Sequence, residues 1–141
     1  MTIKEIDYNE NREATLAELD NYTQAILPEL ANESKSISFY YEEEGTILGR
    51  IVGFLHWDHI QIECFFVSEE ARGKGIGLSL FAKVEELAKE NKVAYILLET
   101  MSFNAPRFYE NIGFKRLATI KDSPVKNEHR YFYLKEYQSR E

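Results

Sequence analysis

The sequence predicts an α/β (α+β) fold: a mixed, mostly antiparallel sheet flanked by helices on both faces, with a central parallel strand pair. Residues 36–67 hold three apolar, strand-like runs separated only by tight turns, the pattern of an antiparallel meander. An amphipathic run at 78–91 then separates the third strand from an apolar run at 94–100, and a crossover helix of that kind makes its two strands parallel neighbours. Between the third strand and this helix stands a glycine-rich stretch, Arg72-Gly-Lys-Gly75-Ile-Gly77.

Taken in order, Ile3 and Ile6 with charge between them suggest a short first strand. Residues 11–31 read as helical, because Leu16, Leu19, Ile26, Leu27 and Leu30 recur near helical spacing. Asp20-Asn21 is a candidate break between two helices, and Pro28 a kink or stop. The strand at 36–43 places Ile37, Phe39 and Tyr41 on one face. The strand at 47–57 is apolar on both faces, which belongs inside a sheet, and its Gly49 and Gly53 suggest a bulge or a close neighbouring backbone.

After a turn at Trp57-Asp58-His59, the strand at 60–67 puts Ile60, Ile62, Cys64 and Phe66 on one face and Gln61, Glu63, Phe65 and Val67 on the other. The helix at 78–91 buries Leu80, Phe81, Val84, Leu87 and Ala88, with Glu85–Lys89 as an i,i+4 pair. A strand at 94–100 follows, then a short helix at 104–111 with Pro106 in its first turn and Gly113 closing it. Strands at 114–121 and 130–137 complete the chain.

At 141 residues the chain is expected to form a single domain over 1–141. No apolar run reaches membrane-spanning length, the first residues lack a signal-like pattern, and one cysteine, Cys64, excludes an internal disulfide. A soluble cytoplasmic protein is expected, with no membrane partner. The formal net charge of −7 argues against nucleic acid as a partner and favours cationic ligands. His56, His59 and His129 lack metal-ligand spacing, so no metal is expected, and Cys64 reads as structural.

The glycine stretch is where chemistry enters. Glycine removes the Cβ obstruction, and a helix start offers N–H groups without intrahelical acceptors. Three glycines at alternate positions with Arg72 and Lys74 among them specify a cradle for an anion such as a phosphate. The run is G-x-G-x-G after antiparallel strands, which disfavours the G-x-G-x-x-G dinucleotide fold.

Two motifs in order carry a resemblance. Val67-x4-Arg72-Gly-Lys-Gly75-Ile-Gly77 resembles the Gln/Arg-x-x-Gly-x-Gly/Ala signature of the GNAT superfamily of acyl-CoA-dependent N-acetyltransferases. Phe108-Tyr109-Glu110-Asn111-Ile112-Gly113-Phe114 is similar to its second signature, a tyrosine four residues before Gly-Phe. With the strand order, the likeness covers nearly the whole chain and implies a GNAT-type sheet. It implies acetyl-CoA as co-substrate, with its pyrophosphate on Gly73, Lys74, Gly75, Ile76, Gly77 and Leu78. Its pantetheine arm would lie beside Phe65, Phe66 and Val67, where a main-chain N–H could also stabilise a developing oxyanion. Arg72 and Lys74 either add charge or stay solvated. Many relatives place an asparagine seven residues before the tyrosine; here Ser102 stands there, and Asn104 either takes that contact or caps the helix.

By the same resemblance Tyr109 is the general acid that returns a proton to the CoA thiolate, the alternative being a packing role. An amine near pKa 10.4 costs about 4–5 kcal/mol to deprotonate at neutral pH, so a base is needed. Glu63, a carboxylate in an apolar strand, is the first candidate, with Glu99 or a water relay as alternatives. The expected reaction is acetyl transfer to a primary amine in a ternary complex, the acceptor being a small cationic metabolite or antibiotic. Tyr40, Tyr41, Trp57 and Tyr131 are offered as cleft residues because aromatic faces bind ammonium groups. Rival readings are a protein lysine or N-terminal acetyltransferase and a non-catalytic acyl-CoA-binding domain; a homodimer is left open.

Overall fold

The structure is a computed structural model that describes residues 1–137. The chain divides into two compact units, Met1–Glu33 and Ser34–Glu141.

The first unit is one helix, α1 (Tyr8–Ile26). The expected strand at Ile3–Ile6 is absent: Asp7 caps the helix instead, its carboxylate accepting from the Glu10 N–H at 3.0 Å. The helix runs unbroken through Asp20-Asn21 and stops at Ile26, with the Leu27 N–H on the Thr23 carbonyl at 2.7 Å. Pro28 sets that stop from outside, because proline disfavours helical geometry in the residue before it.

The second unit holds β1 (Ser34–Glu43), β2 (Thr46–His56), β3 (His59–Val67), α2 (Ile76–Glu90), β4 (Tyr95–Met101), α3 (Pro106–Asn111), β5 (Lys115–Lys121) and β6 (His129–Glu136). The six strands form one sheet in the order β1-β2-β3-β4-β6-β5. Every neighbouring pair is antiparallel except β3–β4, the pair that the crossover helix predicts. The α2 stripe of Ile76, Leu80, Phe81, Val84 and Ala88 is buried with Ile37, Ile51, Ile60, Ile62, Ile96 and Leu98 of the strands. Glu85 does not pair with Lys89 as expected; it takes Lys135 of β6, whose ammonium also donates to the Ile112 carbonyl at 2.7 Å and so closes the end of α3.

One irregularity governs the site. Val52 pairs with Cys64 but the next residue, Gly53, pairs with Ile62, so Glu63 is an extra residue in β3. Gly53 permits this: a Cβ there would lie 2.3 Å from the Gln61 carbonyl oxygen. The extra residue shifts the alternation by one. Ile60 and Ile62 are buried, and beyond the bulge it is Phe65 and Val67 that pack on the core, leaving Cys64 and Phe66 exposed. The expectation that Cys64 and Phe66 share the Ile60–Ile62 face is therefore wrong, because strict alternation cannot survive a bulge, and Cys64 is not a core residue.

Candidate active site

The parallel pairing of β3 with β4 covers only His59–Ile62 against Tyr95–Leu98. Past the bulge the two strands separate. Cys64 to Val67 still pair with β2, and Glu99 to Met101 still pair with β6, so the edges that face each other across the gap have no ladder partner. Backbone donors and acceptors left open inside a sheet call for a partner with amide groups of its own.

A cavity of about 770 Å³ fills this gap. Phe65, Phe66 and Val67 line one wall, Leu98 to Met101 another, and the glycine turn with the start of α2 closes one end. Gly73 and Gly75 both have φ near +80°, a conformation L-residues rarely adopt. Gly75 is the N-cap of α2 and offers no side-chain acceptor, so the N–H groups of the first turn remain available to an anion. Gly77 is glycine for a different reason: a Cβ would sit 3.1 Å from the rings of Phe65 and Phe108. Arg72 donates from Nε to the Val67 carbonyl at 3.1 Å and lies over the Phe66 ring, 5.5 Å from its centroid.

Of the residues expected at the cofactor site, Phe65, Phe66, Val67, Arg72, Gly73, Gly75, Ile76, Gly77, Leu78, Asn104 and Tyr109 all line the cavity. Lys74 does not. Ser102 does not either: its hydroxyl donates to Glu128 at 2.6 Å and accepts from the His129 N–H at 2.8 Å, fixing the end of β4 to the start of β6. Asn104 does not cap α3, whose N-cap is Ala105 without a side-chain bond, and its cavity position leaves it free for other contacts.

Tyr109 is only 6% exposed, on α3, within a ring of aromatic side chains. Phe65, Phe81, Phe108 and Phe114 meet it edge-on, and Tyr133 stacks on it at 5.8 Å between centroids. Burial pushes its phenol above the ordinary value, the Thr100 hydroxyl pulls it back, and the neighbouring Tyr133 adds a further upward push. The next residue anchors the helix. Glu110 accepts from the Tyr133 hydroxyl at 2.7 Å and from Arg116 at 3.0 Å, and these partners hold its carboxyl below the usual range.

Both carboxylates considered as bases line the cavity, but they differ. Glu99 is held by Arg130 at 2.6 Å, whereas Glu63, on the bulge, makes no side-chain hydrogen bond or ion pair among the described residues. The aromatic cleft residues are not brought to the cavity. Arg116 already covers the Tyr131 ring at 3.6 Å, Trp57 stacks on His56 at the β2–β3 turn, and Tyr40 and Tyr41 lie on β1. Aromatic composition cannot tell which ring faces an internal cation has already taken. Sequence reasoning missed Thr100, Met101, Phe103 and Phe108 as lining residues. A hydroxyl at an inward position of the apolar strand, after Ile96 and Leu98, is the one signal that could have flagged Thr100.

Among the described residues no group of three or more His, Cys, Asp or Glu side chains could hold a metal ion, and no helix is long and apolar enough to cross a membrane.

Comparison with known proteins agrees with this geometry. In sequence, the chain is 35% identical over 83 residues to blasticidin-S acetyltransferase of Streptomyces morookaense, covering 58% of this chain and 61% of that protein. It is 32% identical over 108 residues to streptothricin acetyltransferase A of Bacillus subtilis, covering 72% of this chain and 62% of that one. The chain thus spans about three fifths of the length of these curated relatives. In structure, it superposes on an acetyltransferase from Bacillus cereus with a TM-score of 0.84 and 29% identity, over 97% of this chain and 98% of the other. The glycine turn, the bulged strand and the whole tyrosine motif fall within residues 3–114, which match the acetyltransferase (GNAT) family, and the chain belongs to that family.

Proposed function

We propose that this chain is an N-acetyltransferase that moves the acetyl group of acetyl-CoA to a primary amine on a small molecule. The observation that carries the reading is the unpaired seam between β3 and β4, which opens into one cavity with a capless helix start at one end and Tyr109 beside it. The seam suits a linear arm that carries amides, and the helix start suits a pyrophosphate. Phe65 to Val67 would hold the arm, and Gly73 to Leu78 the pyrophosphate. Arg72 adds a positive charge at the same turn. Bound there, acetyl-CoA supplies a thioester that an amine can attack directly.

The chain's own residues have three tasks. Glu63, free of partners on the bulge, accepts the proton that a cationic amine must lose; Glu99 is less suited because Arg130 already holds it. Backbone N–H groups at the open edge of β3 donate to the carbonyl oxygen where negative charge develops. Tyr109 donates a proton at Oη to the departing sulfur. Its raised pKa keeps it protonated until a strong base forms beside it, and a thiolate, poorly solvated in the same apolar cavity, is a stronger base there than in water. The formal charge of −7 and two relatives named for acetyl transfer to blasticidin-S and to streptothricin support a small cationic acceptor.

The test is CoA thiol release across a panel of polyamines, amino sugars, amine antibiotics and lysine or N-terminal peptides. Turnover is expected with small cationic amines. Turnover with peptides alone would move the acceptor to proteins, and acetyl-CoA binding without turnover on any amine would remove the activity. Tyr109→Phe is expected to lower kcat by roughly a hundredfold while leaving the KM for acetyl-CoA nearly unchanged. An unchanged kcat would take Tyr109 out of the acid role.

A further inference from the structure

The cavity has two ends of different character. One is the glycine turn at the start of α2. The other lies where β3 and β4 stop pairing, at Ile62 and Leu98. Both of these residues line the cavity, whereas the pair before them, Ile60 and Ile96, is fully buried and takes no part in the lining. The seam is therefore closed at Ile62–Leu98, and its floor is two apolar side chains, 5% and 4% exposed.

This floor has little room to give. On one side Ile62 pairs with Gly53, where the β2 backbone approaches so closely that a Cβ on Gly53 would lie 3.1 Å from the Ile62 Cα. On the other side Leu98 pairs with Tyr133, which is fully buried and tied by its hydroxyl to Glu110 at 2.7 Å. A close-packed interior answers an added methylene with strain, because its neighbours cannot flow around it. The position also decides what meets the floor. A pyrophosphate on the glycine turn puts the far end of a linear arm at the closed end of the seam. Glu63, the residue after Ile62, lines the cavity beside that end.

We infer that Ile62 and Leu98 set the length of the acyl chain: their side chains form a floor that admits an acetyl group and turns away a butyryl or longer chain. This rests on the reading of the seam as the acetyl-CoA site. The arm above the floor is the same in every acyl-CoA, so the pair acts on the acyl group alone.

The test is isothermal titration calorimetry of the full chain with CoA, acetyl-CoA and butyryl-CoA, repeated for Leu98→Ala and, as a control, Val84→Ala. Butyryl-CoA is expected to bind the unsubstituted protein about thirtyfold more weakly than acetyl-CoA. Leu98→Ala removes more carbon than butyryl adds to acetyl, and should narrow that ratio to about threefold with the Kd for CoA itself nearly unchanged. Val84 is buried on α2 and does not line the cavity, so its truncation should cost stability and leave the ratio as it was. Equal binding of acetyl-CoA and butyryl-CoA by the unsubstituted protein would overturn the inference. So would a ratio that Leu98→Ala leaves unchanged, or that Val84→Ala moves as far. If Leu98→Ala fails to fold, Leu98→Val and Ile62→Val carry the same comparison with a smaller shift, and no shift in either overturns it. Failure of CoA itself to bind would instead remove the cofactor site, so the two failures are distinguishable.

Discussion

At the scale of single residues, Tyr109 and Glu110 divide the work of one short helix. Tyr109 faces the aromatic ring and the cavity, while Glu110 faces Tyr133 and Arg116 and holds α3 against the last two strands. The Glu110 carboxyl lies below its ordinary pKa chiefly because the Tyr133 hydroxyl donates to it, with Arg116 adding to the effect. A group whose folded pKa is depressed contributes stability above its unfolded pKa, near 4.3, and loses it as pH falls through the folded value. Glu110→Gln should therefore lower the Tm at pH 7, and the gap to the unsubstituted protein should shrink as the pH falls below about 4. Thermal denaturation followed by circular dichroism between pH 7 and pH 3 measures it. A gap of constant size would mean that the carboxylate charge contributes nothing. The pair Glu110–Arg116 is half exposed, so most of the effect should come from the tyrosine bond.

At the scale of elements, β3 carries the design. Gly53 lets Glu63 bulge, the bulge turns Phe65 and Val67 inward, and the same bend parts β3 from β4. Gly53→Ala would place a Cβ against backbone at Gln61, not against a side chain that can rotate away. It should destabilise the protein by about 1–3 kcal/mol and weaken acetyl-CoA binding at the same time. Urea denaturation and isothermal titration calorimetry check the two halves, and a loss of stability with normal binding would separate the bulge from the site. Much of this was legible beforehand. Gly53 announced a bulge or a close backbone, and the crossover helix announced the parallel pair. The phase of β3 was not legible, because the bulged residue is set by cross-strand register, which periodicity along one strand does not contain. That is why strict alternation puts Cys64 and Phe66 on the wrong face. The third glycine has a second reason that the sequence does not carry: Gly77 lines the cavity, and the Phe65 and Phe108 rings also leave no room for a Cβ there, a contact between residues far apart in sequence.

At the scale of the molecule, the glycine turn and the tyrosine motif made the site readable, since each is a short run whose spacing needs no tertiary knowledge. The acceptor side was harder to read. A cationic amine is recognised by side chains from several elements, and Tyr131 shows the difficulty: its ring is spent on Arg116 of the same chain. The parted strands have one more consequence. A sheet with an open seam is short of a strand, and a ligand arm lying in it would complete the ladder from both sides. Such a ligand counts as part of the fold, because only the native chain offers the seam. CoA without any acceptor should then raise the Tm steadily with the logarithm of its concentration, by about 2.7 kcal/mol of added stability at a hundred times Kd. Amide hydrogen exchange should slow most along Cys64–Val67 and Glu99–Met101. Protection confined to the glycine turn would mean that the arm does not lie in the seam. With the protection as expected, the cofactor's concentration in the cell would set how long the protein survives as well as how fast it works.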